Sequence, residues 1–236
     1  MPAFGEKKVK SLLPIDCKIL LDNVVSAGKG KTAEQIRTLL NVVFKGAIAH
    51  ALIERNPLDT VLYIKHVRKT GSALTVAEEI EIYPKLLNHE YGKFIAIYLF
   101  TGIRPNELYK SSVEPPFLVA QNSKRKNGRI EFKKIPISTV LFSFVVDGLG
   151  EIPSLKVLRA YFKTLLPNHT LKDLRKTFNT RCKEFGLSDH ARKYFMGHAL
   201  GAVDGTYTEL SDEYLLKQAE RLSEWGARFP KNSPKS

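Results

Sequence analysis

The sequence predicts a mainly α-helical chain with a small β-sheet, an α+β fold, divided near Ser72 into two domains. Apolar residues recur at intervals of three and four, which is typical of amphipathic helices. Two segments open with a threonine followed three residues later by an acidic residue, the capping-box pattern of a helix start. Two strand-like runs flank the turn-forming Lys126-Asn127-Gly128, which predicts a β-hairpin. We therefore expect a helical domain over residues 1–72. Residues 73–236 should form a second domain that ends in a helix and a tail.

In the N-terminal domain, a long helix is expected to begin at about Thr32 and to stop at the breaker pair Asn56-Pro57. One face of this helix carries apolar residues at helical spacing, namely Ile36, Leu39, Leu40, Val43, Phe44, Ile48 and Leu52.

The second domain should begin with a helix capped by Thr75 and Glu78, followed by a helix that ends at Gly102. Pro105 predicts a further helix directly after it, because proline is favourable at the first helical position. The hairpin strands are expected over residues 117–120 and 129–137, and the chain is helical again from Leu155.

Thr170 and Asp173 form the second capping box. The helix behind it should close at Gly186 and bury Leu171, Leu174, Phe178, Cys182 and Phe185. Near the C-terminus, residues 211–225 predict an amphipathic helix with Leu215, Leu216, Ala219 and Leu222 on its apolar face. It packs either on its own domain or on a neighbouring protomer.

The charge balance points to a polyanionic partner. The chain has 37 basic and 24 acidic residues, a formal net charge of +13. Residues 123–134 carry +5 and residues 159–193 carry +6, whereas a general solubility surface would be more even. Neutralised phosphates release counterions, so nucleic acid is the expected partner.

The two cysteines, Cys17 and Cys182, cannot form a disulfide framework and lack metal-ligand spacing. The N-terminus shows no signal-peptide pattern, and no apolar run approaches the roughly 18 residues of a membrane span. We expect a cytoplasmic, DNA-associated protein with no membrane partner, no metal and no cofactor.

Four features occur in a fixed order. They are Thr101-Gly102-Ile103-Arg104-Pro105-Asn106-Glu107-Leu108, the basic hairpin, Lys172-Asp173-Leu174-Arg175, and Gly197-His198 with Tyr207 nine residues later. Taken singly, each is weak, because an arginine at a surface, a KxxR pattern or a half-buried tyrosine is common in a basic protein.

In this order, over residues 72–219, the features resemble the tyrosine recombinase (phage integrase) family, with its TGxRxxEL motif, hairpin lysine, [H/K]xxR, GH and nucleophilic tyrosine. The resemblance implies a catalytic domain here and a core-binding DNA-binding domain over residues 1–72, shorter than a full one. It leaves open whether an arm-binding domain precedes it. It also implies a homotetramer that exchanges strands on double-stranded DNA at a specific site.

The resemblance assigns Tyr207 as nucleophile, with Tyr214 as the rival within the chain. Phosphoryl transfer needs positioning and charge stabilisation, which the guanidiniums of Arg104 and Arg175, with His198, can supply without a metal. The hairpin lysine is the candidate acid for the leaving 5′-oxygen: Lys124 first, Lys126 second. Glu107 orients the basic groups.

Further DNA contacts are expected from the hairpin residues Lys124, Arg125, Lys126 and Arg129. Lys172 stands at the catalytic position where the family most often has histidine. It can still donate to a phosphate oxygen, but an ammonium cannot act as a neutral base at pH 7. His169 is the nearby alternative imidazole. The competing functions are a type IB topoisomerase and a non-catalytic DNA-binding derivative. The target sequence, the host element and the direction of recombination stay open.

Overall fold

The computed structural model of the protein describes residues 4–5, 7–62, 70–123, 130–198 and 210–230. The chain divides into two compact units, Met1–Thr70 and Gly71–Ser236, and each has its own hydrophobic core. Within the described ranges, no helix combines the length and the apolar character that a membrane span requires.

The first unit is built on two helices that pack against each other, α1 (Pro14–Ser26) and α2 (Gly30–Ala49). Its core consists of Leu12, Cys17, Leu21, Ala33, Phe44, Leu58 and Val61. The buried Asn56 side chain donates to Asn41 Oδ1 (2.8 Å) and accepts from the Leu58 amide (3.0 Å). The Asn56-Pro57 pair therefore returns the chain to α2.

Helix α2 is shorter than expected, and much of its apolar face is not covered. It ends at Ala49, and Ala51 adopts a positive φ of 53°, so the chain leaves the helix before Asn56. Phe44 is fully buried, whereas the face also carries the exposed residues Leu39, Val43, Ile48 and Leu52. Helical spacing places residues on one face but does not specify what packs on it. In this unit, α1 and the segment that carries Leu58 and Val61 cover the part of the α2 face around Phe44.

The second unit surrounds one buried helix with further helices and a small sheet. Its helices are α3 (Val76–Leu87), α4 (Gly92–Thr101), α5 (Thr139–Val145), α6 (Leu155–Leu165), α7 (Leu171–Glu184), α8 (Asp189–Phe195), α9 (Asp212–Glu220) and α10 (Ser223–Ala227). Residues 94–101 of α4 are all buried, and α4 contacts α3, α5, α6 and α7.

Both predicted capping boxes are confirmed. Thr75 Oγ1 accepts from the Glu78 amide (3.2 Å) and the Glu78 carboxylate accepts from the Thr75 amide (2.7 Å), which starts α3. The Asp173 carboxylate accepts from the Thr170 amide (2.8 Å) and starts α7. Helix α7 buries the expected residues except Phe185, which is half-buried, and it closes at Gly186 with φ +68°.

Helix α4 ends at Gly102, as predicted. Its φ is +64°, and a Cβ there would lie 2.4 Å from the Phe178 ring, so only glycine fits. The expected helix at Pro105 is wrong: turn residues lead to a single 3₁₀ turn, Leu108–Lys110. The Glu107 amide donates to the Arg104 carbonyl (2.8 Å) and its carboxylate accepts from the Arg104 amide (2.9 Å). This closed turn directs Glu107 inward instead of extending a helix.

The predicted hairpin is confirmed as part of a three-stranded antiparallel sheet. The strands β1 (Ser111–Glu114), β2 (Phe117–Gln121) and β3 (Phe132–Pro136) lie in the order β1-β2-β3. Strand β1 was not predicted, because it has four residues and only half-buried and exposed positions. Helix α5 was also not predicted.

The expected C-terminal helix is two helices, α9 and α10, which pack on their own unit. Leu215, Leu222 and Trp225 are buried in its core. Trp225 Nε1 donates to Glu79 Oε2 (2.7 Å), while Glu79 Oε1 accepts from Arg181 Nη2 (2.6 Å). Glu79 thus joins α3, α7 and α10 through a buried charge pair.

Replacing Glu79 should destabilise the second unit strongly. Glu79→Ala leaves the buried Arg181 guanidinium without its main partner and should lower the free energy of unfolding by about 3–5 kcal/mol, measured by chemical denaturation. Glu81→Ala removes an exposed pair with Lys85 on the same helix and should cost less than about 1 kcal/mol. Equal losses for the two variants would contradict a structural role for the buried pair.

Candidate active site

Arg104 lies in the loop after α4 and points towards two other segments. Its Nη1 donates to Glu107 Oε1 (2.6 Å) and to Asn122 Oδ1 (3.2 Å), and its Nη2 donates to the Gly197 carbonyl (3.4 Å). The side chain remains 17% exposed, so the guanidinium is held on one side and open on the other. Arg104 is therefore fixed in direction before any ligand binds.

Glu107 is the buried carboxylate of the site. Oε1 accepts from Arg104 and from the Ser123 amide (3.1 Å) and hydroxyl (3.0 Å), and Oε2 accepts from Lys133 Nζ (2.9 Å). Burial alone would raise the pKa of Glu107, but the charge of Lys133 and the hydrogen bonds from the Arg104 amide, Lys133 and Arg104 outweigh it and lower the pKa to about 2. Glu107 is ionised at neutral pH and accepts hydrogen bonds from two basic groups, Arg104 and Lys133, while its role in a reaction stays a prediction.

Arg175, on α7, meets the Arg104 loop and the turn after α8. Nη1 donates to the Gly102 carbonyl (2.5 Å), and Nη2 donates to the Met196 carbonyl and lies 3.3 Å from His198 Nε2. Burial and the nearby Arg104 lower the pKa of Arg175 to about 10, so the guanidinium stays charged at neutral pH. The structure therefore brings Arg104, Arg175 and His198 to the same group of segments.

His198 follows α8 and faces Arg175. A guanidinium can only donate, so the Nε2 that faces it must be the unprotonated nitrogen. Partial desolvation of the ring, with the charges of Arg175 and Arg104, lowers the pKa of His198. The ring is neutral at pH 7.

Asn122 is a member of the site that the sequence did not indicate. Besides accepting from Arg104, its Nδ2 donates to the Gly197 carbonyl (3.2 Å). Gly197 has φ +58°, and a Cβ there would lie 2.9 Å from the Asn122 side chain. The glycine before His198 is thus required by both its backbone conformation and its close contact. An asparagine next to a charge run carries no pattern that would have singled it out.

Lys133 is a second member that the sequence analysis did not single out. It was counted only as one charge of the basic hairpin, yet it is 1% exposed and donates to Glu107 and to the Phe195 carbonyl (3.0 Å). Its signal in the sequence is weak, because lysines on a hairpin usually face solvent.

Lys172 is exposed on the first turn of α7, three residues before Arg175. Within the part of the chain that the structure describes, Lys172 makes no hydrogen bond or ion pair. It lines a cavity of about 270 Å³ with Pro105, Arg159 and Lys163. His169, the alternative imidazole, is buried with Nε2 3.0 Å from Glu78 Oε1, at the start of α3. This contact favours a structural role for His169.

Several predicted site residues lie outside the described residues: Lys124, Arg125, Lys126, Arg129 and Tyr207. Ser123, the last described residue before the first four, donates to Glu107. The rival nucleophile Tyr214 lies on α9, and its hydroxyl is 2.6 Å from Ser188 Oγ. Among the described residues, no His, Cys, Asp and Glu side chains are grouped as a metal site would need.

Solved structures of DNA-bound integrases share this architecture. A lambda integrase dimer bound to a COC′ core site aligns with a TM-score of 0.63 and 18% identity over 86% of this chain and 84% of that chain. A Tn1549 transposon integrase in complex with circular intermediate DNA aligns with a TM-score of 0.62 and 20% identity, over 91% and 87%. A lambda integrase tetramer bound to a Holliday junction gives 0.66 and 18%, over 86% and 68%.

The chain has the tyrosine recombinase fold. No family model matches the sequence, and a search of curated proteins found no similar sequence. The integrase fold is therefore visible in the structure at an identity of about one residue in five.

The ionisation of His198 provides a test of the site's geometry. In an NMR titration, its pKa should lie below the usual value of about 6.5. Arg175→Gln should raise it, because the facing cation disfavours protonation. Lys176→Gln, which removes an exposed charge from the next position of α7, should leave it unchanged. A pKa insensitive to Arg175 would contradict the contact between the two side chains.

Proposed function

We propose that the protein is a site-specific DNA recombinase of the integrase type, which cleaves and rejoins DNA through a covalent bond to Tyr207. The carrying observation is the convergence of Arg104, Arg175 and His198, from segments far apart in the chain, within the integrase fold. These donors suit a phosphodiester whose negative charge grows during transfer.

In the proposed reaction, the Tyr207 phenol gives up its proton to water, and its oxygen attacks the scissile phosphorus. A bond from tyrosine to phosphorus forms as the bond from phosphorus to the 5′-oxygen breaks, which leaves a 3′-phosphotyrosine and a free 5′-hydroxyl. The bond energy is conserved, so a 5′-hydroxyl can rejoin the strand without ATP. The two guanidiniums donate to the nonbridging oxygens, and Lys124, or Lys126 as second choice, gives the leaving oxygen its proton.

The phenolate of Tyr207 needs a positive environment, because a tyrosine hydroxyl ionises with a pKa of about 10. Arg104 and Arg175 lower the cost of that charge, and Lys172 adds a compact cation rather than a base. In the proposed site, Lys172 therefore supplies positive charge at the position where a histidine would supply a base.

The proposed partner is double-stranded DNA with a specific recombination site. Residues 1–72 and the basic hairpin residues Lys124, Arg125, Lys126 and Arg129 would hold the duplex. Because a similar integrase forms a tetramer on a Holliday junction, we propose four protomers for strand exchange here as well. The protein would act on DNA in the cytoplasm, integrating or excising a mobile element.

Covalent capture tests the nucleophile. With a nicked suicide duplex derived from DNA that the protein binds in its native genome, the wild type should form a protein–DNA adduct that resists denaturation. Tyr207→Phe should abolish the adduct and retain DNA binding, whereas Tyr214→Phe should form it. An adduct mapped to Tyr214 would contradict the assignment.

The same substrates separate the proposed function from its competitors. Relaxation of any supercoiled plasmid without a paired site would indicate a topoisomerase. DNA binding without any adduct would indicate a non-catalytic derivative.

The two arginines should affect catalysis more than binding. Arg104→Ala and Arg175→Ala should each slow cleavage on the order of 10²-fold or more, the scale for losing one transition-state donor. DNA affinity, measured by fluorescence anisotropy, should fall much less. Arg221→Ala, which removes an equal charge from an arginine that contacts Gly186, serves as the control. A loss of affinity proportional to the loss of rate would show that the arginines are ordinary phosphate contacts.

A further inference from the structure

Lys133 occupies a position of β3 where a strand of this kind normally carries an apolar residue. Phe132 is 57% exposed and Lys133 is 1% exposed, so the phenylalanine faces solvent and the lysine faces the core. A shift of register by one residue would exchange the two faces of the strand. The observed pairing therefore selects the lysine for the interior.

The neighbouring strand leaves room for this side chain. Lys133 pairs with Ala120 of β2, which is fully buried and contributes only a methyl group. Burial of an ammonium is unfavourable unless it is paired and hydrogen-bonded. A methionine would fill the same space without that cost, so packing alone does not account for the lysine.

The ammonium contacts two segments of the active site. It donates to Glu107 Oε2, which leaves Oε1 for Arg104 and Ser123. It also donates to the Phe195 carbonyl, three residues before His198. Through these contacts, Lys133 links the loop that carries Arg104, the base of the hairpin at Ser123 and the turn that carries His198.

We propose that Lys133 is a positioning residue of the recombination reaction, whose buried ammonium holds Glu107 and the end of α8 so that Arg104 and His198 face the same phosphate. This inference rests on the proposed function. Among the described residues, both hydrogen bonds of the enclosed Lys133 ammonium go to internal groups, which places it behind the groups that face the phosphate. It therefore acts through Arg104 and His198 and is distinct from the hairpin lysine that serves as acid.

The test compares Lys133→Met with Lys134→Met in the full-length protein. Lys134 is the next residue of β3, is exposed and pairs with Asp212. Its substitution removes the same charge from the same strand and measures the contribution of that charge to DNA binding. Single-turnover cleavage of the suicide duplex, DNA affinity and thermal unfolding are measured for both variants, below their melting temperatures.

Lys133→Met should cleave at least about tenfold more slowly than Lys134→Met, with DNA affinity within about threefold of it, by analogy with the loss of a supporting contact in a preorganised site. Equal cleavage rates would overturn the inference. A fall in affinity that matches the fall in rate would also overturn it, since Lys133 would then act in binding.

A substrate with a bridging 5′-sulfur distinguishes positioning from acid catalysis, because a thiolate leaves without a proton. Lys124→Ala, or Lys126→Ala if the register differs, should recover on this substrate. Lys133→Met should stay slow. Rescue of Lys133→Met by sulfur would make Lys133 the acid and overturn the positioning role.

The pH dependence on the sulfur substrate gives a readout that a stability effect would not produce. Burial, together with the charges of Arg175 and Arg104, lowers the pKa of Lys133 to about 8 against the opposing effect of Glu107. As pH rises through about 8, the wild type loses this charge and the ratio of wild-type to Lys133→Met rates should shrink. Beside Arg104, the groups that face the ammonium are Arg175, Glu107 and the neutral His198, and these three keep their charge states in this range. A constant ratio would contradict the proposed role of the charge.

If Lys133→Met does not fold, the double variant Lys133→Met/Glu107→Gln is used in its place, because it removes both buried charges. It should fold and bind DNA but cleave slowly, whereas wild-type cleavage by the double variant would overturn the inference. Failure of the proposed function is recognised separately, because the wild type itself would then form no adduct.

Discussion

The candidate active site depends on one buried carboxylate, that of Glu107. Glu107 has no access to solvent, so its charge must be compensated internally, and three segments supply the partners: the turn that begins at Arg104, Ser123 at the base of the hairpin, and Lys133 on β3. A buried ion pair contributes little to stability on balance, but loss of one partner is costly. The contacts with Glu107 therefore fix the positions of the three segments relative to one another. Arg104, Arg175 and Lys133 together exceed the charge of Glu107, so a net positive charge remains at the open side, where an anion is favoured.

The arginines are oriented by backbone carbonyls as well as by this carboxylate. Arg175 donates to the carbonyls of Gly102 and Met196, and Arg104 to that of Gly197. Carbonyls at a left-handed glycine are fixed by the local backbone, so they hold a guanidinium without neutralising it. This arrangement retains the full positive charge for a ligand and restricts the side chain before binding, which is the condition for electrostatic stabilisation of a transition state. Gly102 and Gly197 thus have two roles. Their carbonyls accept hydrogen bonds from the arginines, and their close packing leaves no room for a side chain.

The sequence predicted the parts of the fold that local chemistry determines. Capping boxes at Thr75 and Thr170 are set by neighbouring side chains, and the end of α4 is set by the conformation of Gly102. The hairpin followed from a turn between two strand-like runs. The helix predicted at Pro105 was wrong. The preference of proline for a helix start is weaker than the contacts of the buried Glu107 carboxylate, one of which is with Lys133, far along the chain. Lys133 and Asn122 went unrecognised for the same reason, since their roles exist only once β3, α8 and the arginine loop meet.

The position of Lys172 shows how the site can depart from its usual residue. Its side chain is exposed on the first turn of α7 and lines a cavity with Arg159 and Lys163, and it is not among the partners whose hydrogen bonds fix Arg104 and Arg175. A residue at this point can change without disturbing the buried carboxylate or its partners. A lysine there extends the positive charge of residues 159–193 towards the site, whereas a histidine would offer a titratable nitrogen. In the proposed reaction, activation of Tyr207 would then rely on the electrostatic potential of several fixed cations rather than on a single base. This is consistent with a site whose internal contacts serve to hold positive charge in place.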